Sequence, residues 1–369
     1  MVEFRFSDNY AQARERFLKL VRKHGAAVRS YVEPGEGPNG EELATDAVWF
    51  GDPAAKAVMV MTSATHGVEG FCGSAAQLDF LLEGGPAKLP DGTAALLVHA
   101  VNPYGFAWLR RVTQEGVDLN RNGVDFAAPP ENAEYARLQE QFRPKRPGSP
   151  EAAATAEIIE AYRREVGDEA FALARVSGQH VDPLGVHYGG AGPTWSRTTM
   201  ERFIADFGLK ARRQVAVIDY HTGLGPHGYG EPICGSRPHE PGAARARRWY
   251  GDSLTEPMKG TSSSVVIPGL VQYIWLRELG PDPLTFIALE YGTYGRPVME
   301  AAVDAEHWLH ISGALPLDSP EARQIMAAMR HAYFPDTDAW KEMVLARSRQ
   351  IIGQTLAGLA AEIGVEAWR

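Results

Sequence analysis

Four residues that can bind a metal or move protons stand beside glycines at separate points of the chain: His66, Glu69, His221 and Glu290. Each follows a run of residues that predicts a buried strand, and the first two are spaced as His-x-x-Glu. Two imidazoles and one carboxylate can hold an ion and leave one position open for water, which suits catalytic zinc. The fourth residue can then shuttle protons, so the pattern indicates a metal-dependent hydrolase. A structural metal site would need a fourth protein ligand.

The histidines also have simpler interpretations. A His-x-x-Glu pair alone occurs by chance in many chains, and a structural histidine is the competing interpretation of His66. The two flanking glycines favour a ligand, because they let the backbone turn sharply and approach an ion. His227 competes with His221, but the end of a strand fixes a side chain better than the glycine-rich segment around His227. We therefore favour His66 and His221 as the two histidine ligands.

The composition limits the classes of partner. The net charge of −9 argues against a nucleic-acid surface, which needs clustered Lys and Arg. Two cysteines, Cys72 and Cys234, make no disulfide framework and fit a reducing compartment. The N-terminus lacks the apolar region of a secretory signal, and no segment reaches the roughly 20 apolar residues of a transmembrane helix. We expect a cytoplasmic protein with no membrane or nucleic-acid partner.

Apolar runs and helical periodicity alternate along the chain. An opening helix is expected over 8–24, with Ser7 as its cap. Strands are predicted at 26–32, 47–50, 57–61, 96–101, 215–218 and 284–289. Further helices are predicted at 71–83, 270–279, 297–311, 320–333 and 338–362. Two irregular stretches, 123–150 and 177–200, are expected to be loops around the pocket mouth, with plain surface insertions as the alternative.

This alternation predicts a single α/β domain over residues 1–369. Its twisted central sheet should be mixed, mostly parallel and covered by helices on both faces. Ligands of such sheets bind at the carboxyl ends of the strands, where all four residues fall. The closing helix, with Trp340, Met343 and Val344 near one face, could support a homo-oligomer.

Residues 101–122 carry the strongest single pattern. Asn120 and Arg121 offer an amide and a guanidinium side by side, which suit a carboxylate. Asp118 can accept the free ring N–H of a metal-bound histidine. Arg110 and Arg111 supply a further fixed cation. The competing interpretation is a loop with surface charges.

Together these motifs resemble the zinc carboxypeptidase superfamily, which includes the succinylglutamate desuccinylases and aspartoacylases. The matching segments occur in the family's order between residues 60 and 295, at 66–69, 102–105, 118–122, 219–221 and 289–292. The resemblance implies a zinc carboxypeptidase-like fold with one Zn²⁺ per chain. It makes His66, Glu69 and His221 the zinc ligands, and Glu290 the general base and acid.

The resemblance also assigns substrate contacts. Asn120 and Arg121 would bind the substrate's terminal carboxylate, and Asp118 would orient His66. Arg111, or alternatively Arg110, would stabilise the oxyanion.

The family's carboxypeptidases use a tyrosine as well, for which Tyr273 and Tyr229 are candidates that no motif separates. The stretch between Arg121 and His221 is longer than in a carboxypeptidase, so the shape of the pocket stays open.

The expected reaction is hydrolysis of an amide bond next to a free carboxylate in a short peptide or peptide-like substrate. An N-acyl amino acid is the alternative substrate, and a non-catalytic binding protein on this fold is a second alternative. Cys72 is expected to be a small core residue and not a thiol nucleophile. Residues 262–264 form no Gly-x-Ser-x-Gly elbow, so a serine hydrolase has no support.

Overall fold

The computed structural model describes residue 2 and residues 4–366, and in this part of the chain seven strands form one sheet. The strands are β1 (Val28–Glu36), β2 (Glu42–Phe50), β3 (Ala57–Thr62), β4 (Thr93–His99), β5 (Gln214–His227), β6 (Gly230–Ile233) and β7 (Leu284–Gly292). Their order across the sheet is β1-β2-β4-β3-β5-β7-β6. The four central strands pair in parallel, while β1, β2 and β6 join antiparallel. The predicted fold class, a mixed and mostly parallel sheet, is confirmed.

Twelve α-helices accompany the sheet in the described residues. They are α1 (Tyr10–Lys23), α2 (Gly70–Leu82), α3 (Pro103–Ala107), α4 (Ala133–Phe142), α5 (Pro150–Val166), α6 (Asp168–Val176), α7 (Trp195–Asp206), α8 (Pro241–Tyr250), α9 (Val271–Leu279), α10 (Arg296–Ser312), α11 (Pro320–Tyr333) and α12 (Asp338–Ile363). None of the helices described combines the length and apolar character needed to cross a bilayer.

Both faces of the sheet are covered, as the side chains of β3 demonstrate. Met59 and Met61 pack in one apolar cluster with α1, α2, α8 and α12. Val58 and Val60 point the other way, into a cluster with α7 and α9. Because successive side chains of a strand point to opposite faces, burial on both faces requires an unbroken apolar run. This is why β3 shows no polar alternation.

Two details of the predicted elements are wrong. The first helix begins at Tyr10 because the Asn9 side chain accepts a hydrogen bond from Gln12 N at 2.9 Å, so Asn9 and not Ser7 is the cap. In the closing helix α12, Trp340 and Val344 are buried, but Met343 is 39% exposed and does not share their face.

The prediction that residues 123–150 form a loop is also wrong, because α4 lies within this stretch and α5 begins at its end. Together with α6, these helices bury an aromatic cluster of their own, which contains Tyr135, Phe142, Tyr162 and Phe171. The polar, Pro-rich composition obscured this small apolar centre. The second stretch, 177–200, is largely irregular up to Trp195, where α7 begins.

A buried carboxylate on β1 gives a test of the fold. Glu33 is 2% exposed, accepts a hydrogen bond from Tyr104 N at 3.1 Å and has no cationic partner among the described residues. Burial raises the pKa of Glu33 from 4.5 to about 7. The folded state therefore binds this proton more tightly than the unfolded state, and stability is lost as the pH rises from about 4.5 through 7.

We expect Glu33→Gln to raise the free energy of unfolding by about 2 kcal/mol at pH 8 and to change it little at pH 4.5, since the amide can still accept from Tyr104 N. Chemical unfolding at the two pH values measures this difference. Glu36→Gln, on the exposed end of the same strand, is the control and should have no such effect. An equal change in stability at both pH values would contradict the assignment.

Candidate active site

The first pair of site residues lies between β3 and α2. The strand ends at Thr62, and a 3-10 turn over Gly67–Glu69 leads into α2. His66 is the N-terminal cap of this turn, and Glu69 stands at the cap position of α2. His66 and Glu69 are 4% and 2% exposed. A turn between two fixed elements therefore holds both side chains at the carboxyl edge of the sheet.

The glycines around this turn serve close packing and not backbone freedom. A Cβ on Gly67 would lie 2.0 Å from the carbonyl carbon of Gly105, and one on Gly70 would lie 2.6 Å from the Phe106 ring. Neither glycine has a positive φ in the left-handed region. The sequence predicts that these glycines let the backbone turn sharply toward an ion. In the structure they instead allow the turn to pack closely against α3.

The second pair of site residues lies on adjacent parallel strands. His221 on β5 is in register with Glu290 on β7. On its other side, β5 pairs with β3, and Asp219, two residues before His221, is in register with Thr62 at the end of β3. Because parallel strands end at the same edge, this pairing brings the later half of the chain to the turn that carries His66 and Glu69.

These residues converge on one point. Nδ1 of His66 lies 2.9 Å from Oε1 of Glu69, and Nδ1 of His221 lies 2.9 Å from Oε2 of the same carboxylate. One ligand atom from each of the three buried residues lies within 4.8 Å of the others. Ligand bonds of zinc to nitrogen and oxygen are about 2.0–2.2 Å long, so a single ion fits among these atoms. Two imidazoles and one carboxylate are also a suitable donor set for a metal.

The outer nitrogen of each imidazole faces a second carboxylate. His66 Nε2 lies 3.1 Å from Asp118 Oδ1, and His221 Nε2 lies 2.8 Å from Asp219 Oδ2. A carboxylate that accepts the Nε2–H fixes the tautomer and leaves the Nδ1 lone pair for a metal. Thr62 and Thr65 each donate a hydroxyl to Asp219 Oδ1 at 2.7 Å, which holds that carboxylate in place.

Glu69 lies among positive groups. Arg111 Nη1 donates to Oε1 of Glu69 at 3.2 Å, and Thr222 N donates to Oε2 at 3.1 Å. Burial opposes ionisation of Glu69, but His66 and His221 outweigh it and hold the pKa of Glu69 below its usual range. Burial also opposes the charge of Arg111, yet Asp118 and Glu69 keep the pKa of this guanidinium above its usual range. The carboxylate and the cation therefore both stay charged.

Glu290 is the fourth member of the site. Its side chain is buried, and Oε1 accepts a hydrogen bond from Leu224 N at 3.0 Å. Burial and the charge of Glu69 raise the pKa of Glu290 from 4.5 to about 7. A carboxyl group with a pKa near neutrality can exchange protons with a reacting group in either direction.

A cavity of about 430 Å³ opens onto these four residues. Arg111, Asn120, Arg121 and Tyr273 also line it. Asn120 Oδ1 accepts from Val271 N at 2.8 Å, so its amide nitrogen remains as a donor. The sequence-predicted substrate contacts are thus gathered with the metal ligands.

Arg121 is held by backbone carbonyls. Its Nε and Nη2 donate to Val176 O at 2.9 and 2.6 Å, and its Nη1 donates to Asn120 O at 2.8 Å. A guanidinium has five N–H groups, so two remain for a ligand. Burial lowers the pKa of Arg121 to about 10, which still leaves it charged at neutral pH.

Several candidates from the sequence lie outside the cavity. Arg110 pairs with Glu306 at 2.6 Å and does not line the cavity, so its position does not support a contact with the substrate; of the two adjacent arginines, Arg111 lines the cavity. Tyr229 is 43% exposed away from the cavity, which leaves Tyr273 of the two tyrosines. His227 contacts Thr293 O at 2.7 Å and does not join the ligand cluster. Cys72 is a buried core residue, and burial raises the pKa of its thiol.

Other functional neighbours were not identified from the sequence. Asp219 could have been, because it stands two residues before His221 and therefore on the same face of the strand. His187, whose Nδ1 lies 3.1 Å from Asp118 Oδ2, sits in an irregular segment without a motif. Tyr333, the last residue of α11, and Arg175, near the end of α6, also line the cavity. They are far from the motifs in sequence, and no local pattern indicates them.

A family described as "Protein of unknown function (DUF2817)" matches residues 6–347. No curated protein matches the chain.

Solved structures that are similar to this chain include a carboxypeptidase, an amidase and a desuccinylase. Carboxypeptidase A from Helicoverpa armigera is 12% identical, with a TM-score of 0.44 and coverage of 94% of this chain and 74% of that chain. Murein-tripeptide amidase MpaA from Escherichia coli O157 is 17% identical, with a TM-score of 0.33 and coverage of 81% and 92%. Succinylglutamate desuccinylase from Chromobacterium violaceum is 16% identical, with a TM-score of 0.36 and coverage of 87% and 74%.

Proposed function

We propose that this chain, which belongs to the DUF2817 family, is a zinc-dependent hydrolase that cleaves an amide bond next to a free carboxylate in a short peptide. The observation that carries the proposal is the convergence of His66, Glu69 and His221 within 4.8 Å, in a cavity that also contains Glu290. A protein that only bound a metal would not need a buried carboxyl group beside the ligands. Glu290 therefore favours a catalytic site over the non-catalytic alternative.

His66, Glu69 and His221 would hold the ion. When bound, zinc supplies a Lewis acid that acidifies water and polarises the scissile carbonyl. Glu290 takes the proton from the attacking water and hands it to the nitrogen of the leaving amine as the C–N bond breaks. Arg111 lies beside the ligands and offers its remaining N–H groups to the negative charge that develops on the carbonyl oxygen.

The carboxylate next to the scissile bond would bind to Asn120 and Arg121. The free amide nitrogen of Asn120 and the two free N–H groups of Arg121 support this role. The cavity of about 430 Å³ has room for a small substrate. An N-acyl amino acid presents the same carboxylate, so it remains the second candidate substrate.

Metal removal tests the proposal. The purified protein should contain about one zinc ion per chain, and a chelator should abolish cleavage of dipeptides or of N-acyl amino acids. Adding zinc back should restore it, since binding requires only the three side chains already gathered at the site. Metal analysis and a ninhydrin assay for released amino groups measure the two quantities. Full turnover by metal-free protein would refute the proposal.

The same assay distinguishes the substrates. Dipeptides with a free or an amidated C-terminus should differ by roughly 10-fold or more in kcat/KM, because the amidated form loses a charged hydrogen bond to Asn120 and Arg121. Comparison of dipeptides with N-acetyl amino acids then separates a peptidase from a deacylase.

A further inference from the structure

Arg175 reaches the cavity from outside the sequence motifs that carry the metal-site residues. It lies in the last turn of α6, within the helical segment α4–α6 that separates Arg121 from His221 in the sequence. The side chain is only 6% exposed, yet it lines the same cavity as the metal ligands and Glu290. The next residue, Val176, accepts two of the three hydrogen bonds that the Arg121 side chain donates, so the two arginines belong to one wall of the cavity.

The guanidinium of Arg175 is incompletely used by the fold. Nη2 donates to Asp304 Oδ1 at 2.6 Å and to Oδ2 at 2.7 Å. Nε and Nη1 have no hydrogen-bond partner among the residues that the structure describes. Neither of these two atoms is fully buried. A planar guanidinium offers N–H groups along more than one edge, so a second acceptor can bind while Asp304 stays in place.

The acidic residues nearby do not saturate this cation. Asp304 is 35% exposed, and Glu300, which also lines the cavity, pairs with Arg296 at 3.9 Å on the exposed surface of α10. Burial opposes the charge of Arg175, but Asp304 and Glu300 keep its pKa above the usual range. A permanent, largely desolvated cation with free donors therefore faces the substrate space.

We propose that Arg175 binds a second anionic group of the substrate, so that the preferred substrates are amides carrying two carboxylates, such as peptides with an acidic residue next to the scissile bond. The inference rests on the proposed hydrolase function and specifies its substrate class. Arg175 acts in recognition and takes no part in bond cleavage. Asn120 and Arg121 hold one carboxylate, and Arg175 holds the other.

Two matched pairs of dipeptides test the proposal on the zinc-loaded protein: Ala-Glu against Ala-Gln, and Glu-Ala against Gln-Ala. Each pair differs only by a carboxylate or an amide, and the two pairs report which side of the bond carries the anion. We expect kcat/KM for the acidic member of at least one pair to exceed that of its amide by about tenfold or more. Arg175→Gln should remove this preference and bring the ratio of the two kcat/KM values in that pair to within about twofold of one.

Calorimetric binding of free glutamate and glutamine provides a readout without turnover. The wild-type protein should bind glutamate more tightly, and Arg175→Gln should abolish the difference. If the protein hydrolyses no peptide but retains this Arg175-dependent difference, the proposed function fails and the recognition role stands. The recognition role is overturned if neither readout shows a preference for the acid, or if Arg175→Gln weakens acid and amide equally.

Two further variants separate recognition from stability. Arg110 is a buried arginine that also pairs with a carboxylate of α10, Glu306, but it lies outside the cavity. Arg110→Gln should therefore lower stability and leave the acid-over-amide ratio unchanged. Asp304→Asn removes the competing carboxylate and should preserve or increase the ratio; a fall in the ratio would overturn the proposal even if Arg175→Gln does not fold.

Discussion

The Glu290→Gln protein is expected to bind zinc as the wild type does and to lose about 10²–10⁴-fold in kcat. The amide has the shape of the carboxyl group and keeps an oxygen to accept from Leu224 N, so the local packing is preserved. It cannot take a proton from water or return one to the leaving amine. Metal analysis, an unfolding curve and steady-state kinetics on the same preparation test this expectation.

The kinetic pattern matters as much as the size of the loss. A residue that acts only on the chemical step lowers kcat and leaves KM close to its original value. Near-normal turnover by Glu290→Gln would exclude this residue as the proton carrier, and loss of zinc from the variant would indicate a ligand in its place.

A second carboxylate-to-amide change should weaken zinc binding, which Glu290→Gln is expected to leave unchanged. Glu69→Gln is expected to lower zinc occupancy to less than about one tenth under conditions that saturate the wild type, with turnover falling in parallel. The charged carboxylate contacts Nδ1 of both histidines, and a neutral amide is a much poorer ligand. Both substitutions replace a carboxyl group with an amide of the same shape, so each variant serves as the control for the other.

Equilibrium dialysis with zinc measures the affinity directly. High zinc concentrations should partly rescue Glu69→Gln, because His66 and His221 remain in place, but they should not rescue Glu290→Gln. Wild-type zinc affinity in Glu69→Gln would mean that the three residues do not share one ion.

The central sheet could be predicted because its signal is local. The apolar run of β3 is long enough to indicate burial on both faces, and the structure gives β3 at Ala57–Thr62 against a prediction of 57–61. The segment α4–α6 was missed although its apolar residues recur at helical spacing, as Tyr135, Leu138 and Phe142 in α4 and Ile159, Tyr162 and Val166 in α5. The polar, Pro-rich composition of the stretch 123–150 obscured this spacing.

The candidate site likewise contains residues that the sequence predicts and residues that it does not. His66 and Glu69 follow β3, whereas His221 and Glu290 lie on β5 and β7, and the parallel register of these strands brings all four residues to one edge. Arg110 and Arg111 are adjacent in sequence, and only their tertiary partners separate them: Glu306 for the first, Asp118 and Glu69 for the second. Arg175 and Tyr333 could not be predicted because their place in the cavity depends on how α6 and α11 pack.

The shared register of His221 and Glu290 restricts how this sequence can change. Backbone pairing runs without interruption from Val215 and Leu284 up to these two side chains. Deleting one residue from either strand before that point would turn the following side chains to the opposite side of the sheet and part the two groups. Insertions and deletions are therefore confined to the connections between the strands. The hydrogen-bond ladder between β5 and β7 fixes the number of residues from the start of β7 to Glu290.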